Sequence, residues 1–386
     1  MRKKGKIAGY SVWGDNHPAD VLKQFEDALH LPVTAAGALM ADAHLGYGIP
    51  IGGVLAVDNA VIPYAVGVDI ACRMKMSVLD TPVENFEAGL HKFRSALENE
   101  TRFGVGKDFK RPKQHRVMDE DWSFCKKIRS LKDTAARQLG TSGAGNHFAE
   151  FGILDIDSSG MDIPKGRYTA FLTHSGSRGP GASVAKHYST IAKKMHPELP
   201  KGLNNLSWLD MDSEEGIEYW KAMELMGRYA SANHESIHDS VLGVLGERVI
   251  SFIENHHNFA WKETLENREV IVHRKGATPS AKGTLGIIPG SMASPAFVVR
   301  GKGAKSSINS AAHGAGRRMS RNAAKKKFRR KELEKLLSEK GITLISAGLD
   351  EAPMAYKDIE TVMEEQKDLV EIIARFDPML VKMAPS

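Results

Sequence analysis

The chain has 386 residues, 42% of them hydrophobic and 26% charged, and a formal net charge of +6. That composition excludes the disordered and membrane classes, and no apolar run reaches the roughly 20 residues of a transmembrane helix. With two cysteines, Cys72 and Cys125, a disulfide framework is not expected. The basic N-terminal "MRKKGKIAGYSVWGDN" lacks the apolar stretch of a signal peptide, so the expected location is cytoplasmic.

In chain order, "DVLKQFEDALH" (20–30) has helical periodicity with Asp20 as its cap. Residues 51–79 are apolar, Val-rich and interrupted by Gly and Pro, which predicts several short strands. Helical patterns follow at about 83–100 and 120–139. "YTAFLTHSGSRGPG" (168–181) predicts a strand running into a Gly-rich loop, with a helix from about 181. Residues 213–263 predict the longest helical region, broken near Gly243 or Gly246. Strands and turns return over 269–303; helices are predicted for the basic stretch at about 316–332, for "KELEKLLSEKG" and for "YKDIETVMEEQKDLVEIIARF". The two element types do not alternate strictly, so the predicted class is α+β, mixed sheets packed with helices. No linker or repeat marks a boundary, and residues 1–386 are read as one domain.

From Arg317 to Lys331 there are nine Lys or Arg and no acid, which leaves the rest of the chain at −3. Such concentration favours a phosphate-rich partner touching one place, although a solvated helix face has the same pattern. Just before it, "SAAHGAGRR" sets His313 among side chains too small to crowd it.

Five segments carry metal-capable side chains, four of them with glycine, "MADAHLGYG", "GVDIAC", "GAGNHFAE" and "THSGSRGPG", and one without, "HHNFAWKE". Each alone is weak, because a His beside Gly is more often a core or turn residue. Together, Asp69, Cys72, His147, His174 and His257 suit a divalent transition metal, or two bridged by the thiolate. Asp69 and Cys72 are three apart, so a straight strand would send them to opposite faces; if both bind, the chain bends there. His257, read on a helix, shares a face with Ile253 and Trp261, which suits a core residue as well as a ligand. "HSGSRGPG" is placed to aim a helix N-terminus at an anion, with Arg178 adding a bidentate contact. "GTSGAGNH" lacks the frame of a dinucleotide fingerprint, no GxxxxGK[ST] occurs, and the KxDG-type lysine motif of the usual adenylating ligases is absent.

"DAHLGYGIPIGG", "GVDIAC", "GNHFAEF", "HSGSRGPG", "HRKGAT", "IIPGSM", "HGAGRRMSR" and "APMAYKDI" occur together in this order. In this the chain strongly resembles the RtcB family of RNA ligases, from the first 40 residues to the last ten. The resemblance implies a single large catalytic domain that joins an RNA 3′-phosphate or 2′,3′-cyclic phosphate to a 5′-hydroxyl, with GTP as co-substrate and two Mn²⁺ ions, in RNA repair or tRNA splicing. It implies that His313 attacks the α-phosphorus of GTP and carries GMP, with Asp42 fixing the tautomer of its ring. A neutral imidazole is available near pH 7 and leaves the phosphoramidate well. The same carry-over makes Asp69, Cys72, His147, His174 and His257 the manganese ligands, with Cys72 bridging. Asn146, Glu150, Asn258, Pro289, Gly290, Ser291, Met292, Ala315 and Gly316 then line the guanylate site together with His147, His257, His313 and Gly314, and Tyr356 and Lys382 match late guanine contacts.

Three positions depart from the family. Ala296 stands where a Ser hydrogen-bonded to guanine is common; losing such a bond costs about 0.5–1.5 kcal/mol and loosens guanine preference. Ala312 precedes His313 where Cys is frequent, and "LVKMAPS" around Lys382 replaces a VKG-like end. The expected partners are RNA ends and GTP, with room for an activating helper protein and no membrane. Arg317, Arg318, Arg321 and the lysines beyond are candidates for RNA phosphates. A metal-dependent phosphoesterase acting on the same RNA ends without a covalent guanylate is the alternative, and a binding protein with a structural metal is a third.

Overall fold

Polar and apolar residues alternate through "RMKMSVL", and Arg73–Leu79 is a strand buried on both faces, one polar and one apolar. Met74, Met76 and Val78 enter an apolar core with Leu154, Leu172, Ile253 and Phe376. On the opposite face Arg73 and Lys75 pair with Glu254, and Ser77 meets His238 at 2.8 Å. The structure, a computed structural model, describes residues 8–158 and 160–385, so the basic start of the N-terminal segment lies outside it.

This strand belongs to an eight-stranded sheet. Its path runs Leu285–Pro289, Ala296–Gly301, Val370–Met383, Phe148–Ile156, Gly166–Ser175, Arg73–Leu79 and Val249–His256, with Thr343–Ser346 pairing alongside Val370–Met383. The two edges of the path approach each other. There Asn255 Oδ1 accepts from the Ile287 N–H at 2.9 Å and its Nδ2 donates to Thr278 Oγ1 at 2.9 Å, so a side-chain amide closes a seam that no backbone ladder spans. The outer face carries Phe151 and Phe171, packed with Phe86 of the helix Val83–Ala88, Phe93 of the helix Leu90–Glu100, and Ile237 and Val241 of the helix Glu214–Leu245. Phe151 and Phe171 stack with ring centroids 4.5 Å apart. Truncating one such ring to Ala costs about 3–5 kcal/mol.

A second sheet runs Gly9–Val12, Thr34–His44, Ile51–Val57, Arg268–Lys275 and Asn258–Leu265. The short pair Ala277–Pro279 and Ser310–Ala312 lies beyond it in the chain, with Ala277 opposite Ala312. This mixture of sheets and helices bears out the α+β class.

The long helix starts where Ser213 accepts from the Gly216 N–H at 3.0 Å, and ends where Gly246 takes φ +71. Beyond that cap the sequence reading fails. Residues 249–256 and 258–265 are strands, so His257 sits at a break between them instead of on a helix with Ile253 and Trp261. Pairing with Arg73–Leu79 on one side and Arg268–Lys275 on the other overrides the helical pattern. The C-terminal helix is also shorter than expected, Ile359–Glu364. Val370–Met383 is a fourteen-residue strand held between two neighbours. Residues 120–139 form two short helices, Lys126–Arg129 and Lys132–Gln138, and Pro18 rather than Asp20 occupies the cap of Ala19–Leu29.

Candidate functional site

Antiparallel register explains how distant residues meet. Cys72 precedes Arg73–Leu79 and His147 precedes Phe148–Ile156, whereas His174 is near the end of Gly166–Ser175 and His257 follows Val249–His256. Arg73 faces both Ser175 and His256, and Phe148 faces His174, so all four side chains lie at one end of the large sheet. Asp69 joins them through a bend: the Cys72 N–H donates to Asp69 O at 3.1 Å and Ala71 adopts φ +55. A side chain on Gly176 would meet the Asp69 carboxylate at 2.4 Å, so this glycine is what makes room.

Cys72 Sγ lies 3.3 Å from His147 Nε2 and 3.1 Å from His174 Nε2, and His174 Nε2 lies 3.2 Å from His257 Nε2. Two triads result, Asp69–Cys72–His147 and Cys72–His174–His257, sharing the thiol, with the ligand atoms of each within 4.8 Å of one another. His147 Nδ1 donates to Ser142 O and His174 Nδ1 to Asn146 O, each at 3.0 Å. A carbonyl can only accept, so both rings hold their first proton on Nδ1 and turn Nε2 inward. The Arg178 guanidinium, 3.2 Å from His147 Nδ1, then stands beside that ring as a charge and not as its donor.

His147 Nε2 is also 2.9 Å from Asp69 Oδ2. Two lone pairs at that distance require a proton or a metal cation between them. Burial and the Asp69 carboxylate hold the Cys72 thiol well above its ordinary range, and burial with neighbouring imidazoles holds His174 and His257 well below theirs. Burial opposes ionisation of Asp69, but the His147 contact, aided by Arg178, outweighs it and keeps the carboxyl below the usual range. A divalent cation would exchange for protons here and turn the thiol into a thiolate ligand. His257 Nδ1 is buried without a partner, so nothing beyond the cluster fixes this ring. The residues fit a metal.

His313 comes from the other side. It follows Ser310–Ala312, and its Nδ1 lies 2.6 Å from Oδ2 of Asp42, a fully buried residue of Thr34–His44. Asp42 is acceptor-only when ionised, so the ring proton sits on Nδ1 and the Nε2 lone pair is free. The ring is 4.8 Å, centroid to centroid, from that of His257. Gly316, at φ +71, packs where a Cβ would come within 2.0 Å of Asp42 O, which lets the HGAGR turn close over the carboxylate's strand.

One cavity of about 1060 Å³ joins these groups. Its wall includes Asn146, Glu150, Asn258, Pro289, Gly290, Ser291, Met292, Ala296, Gly314, Ala315, Gly316 and Tyr356, as well as His147, His174, His257, His313, Asp69 and Cys72. Burial pushes the Glu150 carboxyl up to about 8. Lys382 does not belong to this set. Its ammonium donates to the carbonyls of Leu97, at 2.8 Å, and Glu98, at 3.1 Å, away from the cavity. Among the candidate phosphate contacts, Arg317 is turned inward onto Glu351 at 2.9 Å and against the Tyr356 ring, and Arg321 Nε lies 3.2 Å from the same carboxylate.

Sequence reasoning missed two residues here. Lys275 lines the cavity, buried, with its ammonium on the carbonyls of Tyr47 and Tyr64; burial pushes it down to about 7. "HRKGAT" was its only signal. Glu351 is 2% exposed and gathers Arg317, Arg321 and the Tyr356 hydroxyl, and no local pattern announced it.

Comparison with known proteins gives one family. A family model described as "tRNA-splicing ligase RtcB" matches residues 24–133 and 120–383. The chain is 32% identical to "RNA-splicing ligase RtcB" of Escherichia coli (strain K12), covering 95% of each chain. It is 31% identical to "tRNA-splicing ligase RtcB" of Methanococcus maripaludis, covering 94% of this chain and 91% of that one. It is 30% identical to the protein of that name from Thermococcus kodakarensis, covering 98% and 95%. With matches of this extent around such a site, the chain belongs to the RtcB family.

Proposed function

We propose that this protein is a cytoplasmic RNA ligase, acting as one catalytic unit, that seals RNA 3′-phosphate or 2′,3′-cyclic phosphate ends to 5′-hydroxyl ends with GTP and Mn²⁺. Its relatives carry the name RNA-splicing ligase. The observation that carries the mechanism is His313, oriented by a buried carboxylate, in the same cavity as two cation-ready triads.

His313 Nε2 attacks the α-phosphorus of GTP; the P–N bond forms, the bond to the bridging oxygen breaks, and pyrophosphate leaves. Asp42 holds the Nδ1 proton through this step and stabilises the positive charge the ring acquires. An oxygen of the RNA 3′-phosphate then attacks the same phosphorus, breaking the P–N bond and returning the imidazole. Finally the 5′-hydroxyl oxygen attacks the RNA phosphorus, loses its proton and displaces GMP. A cyclic end is first opened by water. Asp69, Cys72, His147, His174 and His257 would hold two manganese ions, which when bound neutralise phosphate charge and align the attacking groups. Glu150 and the Pro289–Met292 turn line the pocket proposed for guanine, where Ala296 leaves one polar contact unmade.

Incubation with α-labelled GTP and Mn²⁺ tests this. An acid-labile protein adduct should form, be absent in His313→Ala, and form roughly 100- to 10,000-fold more slowly in Asp42→Asn. No label on the unmodified protein would favour the phosphoesterase reading, and equal label on His313→Ala would move the nucleophile elsewhere. Parallel labelling with ATP measures the consequence of Ala296.

A further inference from the structure

The wall of the cavity that holds His313 also includes Pro18, Val21, His44, Leu45, Tyr47 and Val68, which the steps above leave unused. Three large apolar side chains face water there: Tyr47 is 73% exposed, Leu45 52% and Val68 45%. Scattered exposed apolar residues need no explanation, but a cluster at the mouth of a cavity does. The loop that carries two of them is held firmly. Gln24 Oε1 accepts from the Gly46 N–H at 3.2 Å, and Gln24 Nε2 donates to Gly46 O at 2.5 Å and Gly48 O at 3.1 Å. The buried Lys275 ammonium donates to Tyr47 O from below. Gly48 has φ +81, and a Cβ there would come within 3.0 Å of Asn205 O, so the turn has little freedom of shape. The backbone is pinned while the ring is left uncovered.

We propose that Tyr47, flanked by Leu45 and Val68, is a stacking platform for the terminal nucleobase of an RNA end entering the cavity. The inference rests on the RNA ligase reading and extends it to a part of the site outside the guanylate wall. An RNA end must bring its terminal phosphate or hydroxyl to the reacting phosphorus, so its last base lies in the space next to His313. Lys275 holds this loop through the carbonyls of Tyr47 and Tyr64, and Arg318, exposed in the same cavity wall, supplies positive charge for a polynucleotide end. Stacking on an aromatic face tolerates any base, which suits an enzyme acting on ends, and a ring on a pinned backbone loses little freedom when it binds.

The test uses the full chain and two short labelled RNA strands, one ending in a 3′-phosphate and one beginning with a 5′-hydroxyl. Each is made with a normal or an abasic terminal nucleotide, and binding is read by fluorescence anisotropy. Tyr47→Ala should weaken binding of one strand about 5- to 150-fold, and Tyr47→Trp should retain it. The abasic form of that strand should bind the unmodified protein as weakly, and Tyr47→Ala should add no further loss. The responding strand identifies which end uses the platform. Equal affinity of Tyr47→Ala and unmodified protein for both strands overturns the proposal. An equal loss on normal and abasic ends also overturns it, as does failure of the unmodified protein to bind either strand. A base-dependent effect of Tyr47 in a protein that makes no GMP adduct would leave the platform standing and remove the ligase mechanism instead.

Discussion

Cys72, His147, His174 and His257 reach one spot from four separate strand ends, whereas Arg317 to Lys331 is a single unbroken run of charge. The dispersed set converges because antiparallel register fixes where strand ends fall, and each member is at most 5% exposed. The contiguous run does not act as one block. Arg317 and Arg321 turn to Glu351, Lys325 to Asp350 at 3.7 Å, and Arg330 to Glu334 at 3.1 Å, while Lys326, Lys327 and Lys331 have no recorded ion pair among the described residues. Adjacency in sequence guarantees shared local charge but not shared purpose, and side chains far apart can be the tighter unit.

The sharpest way to break this contrast is Cys72→Ala, which removes the atom common to both triads. The two ions proposed above should be lost together, with affinity falling by more than the roughly 100-fold that a residue behind a ligand is worth, and the proposed ligation should fall below detection. Metal content by mass spectrometry checks this; retention of one tightly held ion would show that the triads are independent. Next in size is Glu351→Gln. It leaves the Arg317 guanidinium, only 13% exposed, short of its partner, and stability to denaturant should drop by about 3 kcal/mol.

A third prediction sets two buried carboxyls against each other. Asp69 is held ionised by His147, but burial keeps Glu150 protonated below about 8. The guanine contact proposed for Glu150, accepting from N–H groups, requires its carboxylate, and its folded value is the raised one. GTP binding should therefore tighten as pH rises, by up to about tenfold per unit below 8, and level off above. Calorimetric titration across this range should show that slope, and Glu150→Gln should flatten it. The smallest effect is expected from Lys325→Glu, whose side chain is 47% exposed and already faces Asp350. Stability should change by less than about 1 kcal/mol, and the salt dependence of RNA binding should shift by less than one phosphate contact's worth. A larger shift would mean that the helix Arg321–Lys327, which carries Lys325, touches RNA.

The candidate site was more legible than the secondary structure around it. Asp69, Cys72, His147, His174 and His313 were marked by short glycine-flanked motifs, because tight packing around the site leaves glycines behind, as Gly176 and Gly316 illustrate, whereas His257 has no glycine beside it. The strands Val249–His256 and Val370–Met383 were read as helix, because neighbours distant in sequence decide their state. Lys382 shows the limit of transferring a role by position: the residue is present, but its ammonium has another occupation. Glu351 and Tyr47 could not have been chosen beforehand, since their significance depends on burial and exposure that no local pattern encodes.

That occupation of Lys382 has a consequence for how two distant segments hold each other. The helix Leu90–Glu100 ends with carbonyls of Leu97 and Glu98 that accept from the Lys382 ammonium, Leu97 O also accepting from Thr101 Oγ1 at 2.6 Å, so a helix near residue 100 is finished by the strand Val370–Met383. Lys382→Ala should therefore fray the last turn of that helix, which faster amide exchange near residues 97–101 would show.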